Sequence, residues 1–232
     1  MKTRSDTSVF LSGVEKAYTS PSGRLPVLRG LDLVVEKGSS VAIVGPSGSG
    51  KSTLLNIMGA LDNADSGDVQ INGRDISGLD ADARANFRNR EVGFVFQMHH
   101  LLPQCTVMEN ILVPSLVVRN RERRAGAGER AAALLSRIGL AERSDYFPGQ
   151  LSGGERLRTA VVRSLINSPS IVLADEPTGS LDNETADTLA DVLLELNADD
   201  GTTLVAVTHS GRFAASFGTT YRLENGVLIR CD

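Results

Sequence analysis

Gly45-Pro46-Ser47-Gly48-Ser49-Gly50-Lys51-Ser52 is the stretch on which the reading of this sequence turns. It satisfies the pattern GxxxxGK[ST] throughout, and its flanks fit as well. Val41–Val44, just before it, is a short apolar run of strand character; from Lys51 to about Leu61 apolar side chains recur at helical spacing. Strand, glycine loop and helix in that order make a phosphate cradle. Glycines let the backbone wrap an anion so that several N–H groups point inward. The helix start adds partial positive charge. Lys51 offers a point charge to β- and γ-phosphates, and the Ser52 hydroxyl can ligate Mg²⁺. The loop from Gly45 through Ser52, with Thr53 after it, is therefore expected to hold a nucleoside triphosphate. Only four lysines occur in the chain, so a glycine turn meeting Lys-Ser by accident is a poor account.

A second stretch adds chemistry. Ile171-Val172-Leu173-Ala174 is an apolar strand that ends in Asp175-Glu176. Strand C-termini of a parallel sheet gather on its ligand edge. Asp175 is then expected near a metal held through Ser52, and Glu176 beyond it as the base that orients or deprotonates water. Alone, such acids more often cap a loop; beside the glycine loop they point to ATP hydrolysis. Gln97 ends the strand Gly93–Phe96 and His209 follows the strand Thr203–Thr208. Both fall on the same expected edge, Gln97 near the metal or γ-phosphate and His209 near the γ-phosphate.

Leu151-Ser152-Gly153-Gly154-Glu155 opens a helix with Ser152 and Glu155 as a capping box. Two glycines in a first turn are poor helix formers. They make sense where amides must approach a ligand closely, and a helix start free of side chains is a second phosphate site. One ATP does not need two such sites in one subunit. The economical expectation is a dimer in which Ser152, Gly153 and Gly154 close over the partner's ATP.

The other features set bounds. The chain has 232 residues and a net charge of −4, which argues against a dedicated nucleic-acid surface. Cys105 and Cys231 lie far apart without metal-ligand or disulfide spacing, as in a reducing compartment. The polar start, Met1 to Ser8, has no apolar signal region, and no apolar run is long enough to span a membrane, so a soluble protein is expected. Short strands over the first forty residues (Val9–Val14, Leu31–Val35, with a turn at Ser20–Gly23) and Val69–Ile71 before Asn72-Gly73 indicate a small antiparallel sheet. Residues 98–165 look helical, with helices expected at Thr106–Val118, Gly128–Ile138 and Gly154–Ile166; the charged stretch Arg119–Arg130 reads as a solvated junction. Strand–helix alternation then resumes through Ile171–Ala174, Thr185–Leu196 and Thr203–Val207, and Tyr221–Ile229 turns at Asn225-Gly226.

Taken together these motifs resemble the nucleotide-binding subunit of ABC transporters, from about residue 8 to the end. Gly45–Ser52 resembles its Walker A motif, Ile171–Glu176 Walker B and Leu151–Glu155 the signature. Gln97 resembles the Q-loop, Ser180-Leu181-Asp182 the D-loop and His209 the switch histidine. The resemblance implies an α/β P-loop NTPase (RecA-like) core with a parallel sheet. An N-terminal antiparallel β subdomain and an inserted α-helical subdomain go with it. Residues 8–232 would form one ATP-binding domain, with 8–97 and 166–232 as core and 98–165 as the helical part. It implies ATP and Mg²⁺, Tyr18 stacked on adenine, and Asp182 near the nucleotide. Its implied partners are a second copy and an integral membrane permease, placing the chain in the cytoplasm on the inner face of the membrane.

Phe96-Gln97-Met98-His99-His100-Leu101-Leu102-Pro103, Thr106-Val107-Met108-Glu109-Asn110 and Ala174–Asp182, with Glu155, resemble the branch serving lipoprotein release, macrolide-type efflux and the cell-division transporter. His99-His100 then reads as permease-facing surface rather than a metal site. Leu157 departs from the family, which usually carries Gln there. Translation-factor and DNA-repair relatives carry a second domain or a long coiled coil, which this chain lacks, and the Asn-Lys-x-Asp motif of GTPases is absent. A regulatory ATPase or an importer subunit stays open on sequence.

Overall fold

The computed structural model describes residues 6–21, 23–118, 125–179 and 181–231. Residues 1–5 of the polar start, Ser22 of the expected first turn, residues 119–124 of the charged junction, and Ser180 lie outside the described residues.

Two sheets organise the chain. Strand β1 (Thr7–Ser20) pairs antiparallel with β2 (Gly23–Glu36) on one side and β4 (Ser66–Ile71) on the other, and β5 (Arg74–Asp75) completes the order β2-β1-β4-β5. Asn72 and Gly73 both adopt positive φ (51° and 76°), the pairing that lets a two-residue turn follow the strand twist. The first two strands are far longer than the apolar runs suggest. Register shifts at four places bend β1 and scramble its alternation.

The second sheet has the order β10-β9-β3-β8-β7-β6, made of β3 (Ser40–Val44), β6 (Val92–Phe96), β7 (Ile171–Asp175), β8 (Thr203–Thr208), β9 (Thr219–Glu224) and β10 (Val227–Cys231). All neighbours run parallel except β9 and β10, joined through Asn225-Gly226. Side-chain alternation splits its apolar residues cleanly between two cores. Val41, Ile43, Ile171, Leu173, Val205 and Val207 face the antiparallel sheet and helix α1 (Lys51–Met58). Ala42, Val95, Val172, Ala174, Leu204 and Ala206 face the remaining helices. A sheet covered on both faces needs near-continuous apolar strands, which is how these read.

Helices α3 (Val107–Leu112), α4 (Ala127–Arg137), α5 (Gly153–Leu165), α6 (Asn183–Asp200) and the short α7 (Gly211–Ala214) lie on the second face. The helix expected over Thr106–Val118 stops at Leu112 and tightens into a 3₁₀ turn at Val113–Val117. Pro114 lacks the N–H that would continue the ladder, and its ring crowds the preceding turn. Helix α2 (Ala81–Glu91), capped by Asp80, is not foreseen by the periodicity. It buries only Phe87, so there is no apolar stripe to see.

Gly59 and Gly93 set the spacing of the layers. A Cβ at Gly59 would fall 2.2 Å from Phe94 Cζ, and one at Gly93 would fall 2.5 Å from the Ser164 carbonyl oxygen. The end of α1 and the end of α5 therefore press directly on β6. The unusual Leu157 is fully buried in the helical core. It anchors α5 by apolar contact, and Leu157→Ala is expected to lower stability by about 2–5 kcal/mol in a urea titration.

Candidate functional site

The parallel register brings the ends of β3, β8, β7 and β6 to one edge. The glycine loop leaves β3, His209 follows β8, Asp175-Glu176 ends β7, and Gln97 follows β6. Four separated sequence motifs thus meet because strand ends meet.

Within the loop Gly48 (φ 78°) and Gly50 (φ 102°) take conformations that side chains resist. Gly50 is doubly constrained, since a Cβ there would lie 2.8 Å from Val27 Cγ1. Lys51 is buried, and its ammonium turns back into the loop, donating to the carbonyls of Gly45 (2.9 Å) and Pro46 (3.1 Å). Ser49 Oγ is buried in the same loop without a hydrogen-bond partner. Ser47 stands on the exposed rim.

The carboxylates at the end of β7 lie beside the cradle. Ser52 Oγ donates to Asp175 Oδ1 at 3.1 Å. Burial pushes the Asp175 carboxyl above the usual carboxylate range, the Ser52 hydroxyl partly offsetting it and Glu176 adding to it. Glu176 Oε1 lies 3.5 Å from Lys51 Nζ. Its Oε2 accepts the His209 backbone N–H at 3.0 Å and lies 2.8 Å from His209 Nδ1. Glu176 has φ 46°, a left-handed conformation costly for a side chain of this size. Its N–H donates to the Val207 carbonyl at 2.9 Å, and this bond to β8 helps hold the strained turn. Gln97 lies against the same turn. A Cβ at Gly179 would be 2.8 Å from Gln97 Nε2, so the glycine makes the room.

Tyr18 lies beside the cradle, with its ring partly exposed. Its hydroxyl donates to Asp62 Oδ2 (2.8 Å) and lies 3.4 Å from Thr53 Oγ1 on the first turn of α1. Asp182 caps α6, accepting the Thr185 N–H (2.9 Å) and hydroxyl (2.8 Å). Those bonds hold its carboxyl below the usual range.

Ser152, Gly153 and Gly154 stand apart from this group. Among the described residues no hydrogen bond or ion pair joins them to the cradle. The capping box is formed, with Ser152 N–H donating to Glu155 Oε2 (2.8 Å) and Ser152 Oγ accepting from Glu155 N–H (3.2 Å). Arg143 pairs with Glu155 at 3.3 Å. Gly154 has a packing reason of its own, because a Cβ there would fall 2.7 Å from Thr185 Cγ2 on α6. Gly153 has none among the described residues, where its Cβ would meet Leu181 alone, at 3.9 Å.

Two polar groups next to the site carried no sequence motif. Arg163 of α5 donates to the carbonyls of His99 and His100 (2.6 Å each), and both histidines have positive φ. Lys16 ties Asp62 to β1. The available signal for Lys16 was position: it continues the inward series Val9, Leu11, Val14 on β1.

Comparison with known proteins identifies the family. The ABC transporter family profile matches residues 28–179. The chain is 50% identical over 222 residues to the lipoprotein-releasing system ATP-binding protein LolD 1 of Rhodopirellula baltica, covering 96% of each. It is 46% identical over 215 residues to LolD of Saccharophagus degradans, covering 93% of each. Among solved structures, the dimeric structure of MJ0796, a bacterial ABC transporter cassette, superposes with a TM-score of 0.85 at 37% identity, over 96% of this chain and 97% of that one. The post-hydrolysis dimer of the same cassette, bound to ADP and Pi, gives the same figures. The fold is that of a P-loop ATPase with an antiparallel sheet beside its core and helices on the other face, and the chain belongs to the ABC transporter family as an ATP-binding, ATP-hydrolysing subunit of the LolD type.

Proposed function

We propose that two copies of this chain enclose ATP between them and drive a membrane permease that releases lipoproteins. The observation that carries the dimer is the separation within one chain of two phosphate-binding devices. The cradle, Asp175, Glu176 and His209 share one sheet edge; among the described residues no hydrogen bond or ion pair joins the capped start of α5 to them. A second copy supplies the missing half. The similarity to the dimeric MJ0796 cassette supports the same arrangement.

In this reading Gly45–Thr53 hold the triphosphate and Tyr18 offers its ring to adenine. Ser152, Gly153 and Gly154 face the partner's γ-phosphate, and Asp182 lies beside them at the interface. Glu176 accepts the proton of the attacking water while a new P–O bond forms and the bond to ADP breaks. His209 holds Glu176 in place and contacts the γ-phosphate. Gln97 senses the metal or the γ-phosphate from the neighbouring loop. Ser52 Oγ and the half-buried Asp175 carboxylate, 3.1 Å apart, with the Gln97 amide oxygen, offer a set of oxygen ligands; such a set fits Mg²⁺. When bound, the ion would neutralise charge on the phosphates.

Residues 8–232 act as one ATP-binding unit, with 98–165 as the helical part and the rest as the core. No nucleic acid takes part. Among the described residues no helix is long and apolar enough to cross a membrane. The permease would hold the subunit on the cytoplasmic face. A groove of about 490 Å³, lined by Leu61, Phe94, Phe96, His100, Val117 and Arg163, is suited to receive a permease segment. Leu116 and Val117 beside it are largely exposed.

Affinity-tagged chain, recovered from detergent-extracted membranes of its own host, tests the assignment. Mass spectrometry is expected to find a permease with a large periplasmic domain. Recovery with ribosomes or nucleic acid, and no integral membrane protein, would overturn it.

A further inference from the structure

Lys16 is a buried lysine at an inward strand position, and its neighbours explain why it is there. Its ammonium donates to Asp62 Oδ1 (2.8 Å) and to the Asn63 carbonyl (2.6 Å), and lies 3.8 Å from Asp65 Oδ1. It also sits over the Tyr18 ring, 5.1 Å from the centroid. Asp62 in turn accepts from Lys16, from the Tyr18 hydroxyl and from the Asn63 N–H (2.7 Å). The Asp62 N–H donates to the Asn56 carbonyl within α1 at 3.2 Å, so the carboxylate is carried by the end of the cradle helix. Asp65 adds a second tie, accepting the Ala17 N–H at 2.9 Å.

The network thus joins the ring of Tyr18 on β1 to the helix that begins at Lys51. Burial opposes ionisation of Asp62, but the hydrogen bonds from Lys16 and Tyr18 prevail, and its carboxyl lies below the usual range. The Tyr18 phenol is raised, chiefly by burial, so it stays a donor. An ion pair with one buried partner is weak support for a fold, because desolvation of the lysine cancels much of the attraction. An exposed tyrosine hydroxyl needs no protein partner at all. Yet here a buried lysine and a carboxylate fix both the edge and one face of a ring that is 40% exposed. What they secure is the orientation of the ring's open face beside the cradle.

We propose that Asp62 and Lys16 are positioning residues for the nucleotide base: by locking the Tyr18 ring against α1 they determine how much the base contributes to nucleotide affinity. The proposal rests on the reading of Tyr18 as the base platform. Lys16 closes one face of the ring and leaves the other for a purine, and Asp62 sets the tilt through the phenol. The phosphates are bound elsewhere, so the network acts on ligands that carry a base.

The test is calorimetric titration of the full chain with Mg-ATP and with inorganic tripolyphosphate. Tyr18→Ala is expected to weaken ATP binding roughly 5- to 150-fold, the range of a lost base–aromatic stack, and to leave tripolyphosphate unchanged. Asp62→Asn is expected to weaken ATP at least threefold, again with tripolyphosphate unchanged, and to have no further effect in the Tyr18→Ala background. If Asp62→Asn does not fold because Lys16 loses its nearer carboxylate, the double change Lys16→Met/Asp62→Asn serves in its place with the same expectation. An Asp62 variant that binds ATP normally while Tyr18→Ala does not overturns the positioning role and spares the platform. Equal losses for ATP and tripolyphosphate in the Asp62 variant would mark a general support of the cradle, and also overturn it. A Tyr18→Ala protein that binds ATP normally removes the platform, and this inference with it.

Discussion

Glu176→Gln is expected to slow ATP hydrolysis by roughly 10²- to 10⁴-fold, the usual worth of a positioned general base, while ATP still binds. The replacement keeps the shape of the side chain and an oxygen that can accept the His209 N–H, so the strained turn should survive. What it removes is the negative charge that can take a proton from water. The same carboxylate now touches both Lys51 and His209, which places it between the cradle and the end of β8. Phosphate release measured alongside ATP titration separates the two effects. Turnover within a few-fold of the parent would remove Glu176 from the role of base.

Lys51→Ala is expected to weaken ATP binding by about 10- to 100-fold or more, since charge-assisted hydrogen bonds contribute roughly 1.5–3 kcal/mol each. The ammonium lies against the Gly45 and Pro46 carbonyls and Glu176. These are weaker partners than a triphosphate. An incoming phosphate takes their place, and the loop already has its shape. Removing the ammonium leaves two loop carbonyls without their donor, so thermal unfolding should accompany the titration. A folded Lys51→Ala protein with unchanged ATP affinity would contradict the assignment.

The site was more legible in the sequence than the frame around it. Gly45–Ser52 and Ile171–Glu176 announce themselves because each couples an apolar strand to a chemical residue at its end, and the parallel register turns those ends into one edge. Gln97 and His209 became legible by the same rule. Helix α2 was not, because it is polar nearly all round and buries only Phe87. The full length of β1 and β2 was hidden by bulges and by exposed residues in the hairpin arm. The Lys16–Asp62 pair was hidden for another reason: a half-buried ion pair joins residues 46 apart, and no periodicity records the pairing. Gly153-Gly154 was only half read. Close approach to Thr185 accounts for Gly154, whereas open space beside Gly153 leaves the ligand reading intact there.

That open space supplies the decisive measurement. Sedimentation velocity of Glu176→Gln, with and without Mg-ATP, reports whether the cradle is half of a shared site. A monomer without nucleotide and a dimer with ATP are expected. Gly153→Asp added to it should bind ATP as a monomer and fail to dimerise. Among the described residues a Cβ there comes no nearer than 3.9 Å, to Leu181, and an acid suits a helix start, but its charge would face the partner's phosphates. An oligomeric state indifferent to ATP, or a Gly153→Asp protein that dimerises as readily as its parent, would contradict the shared site.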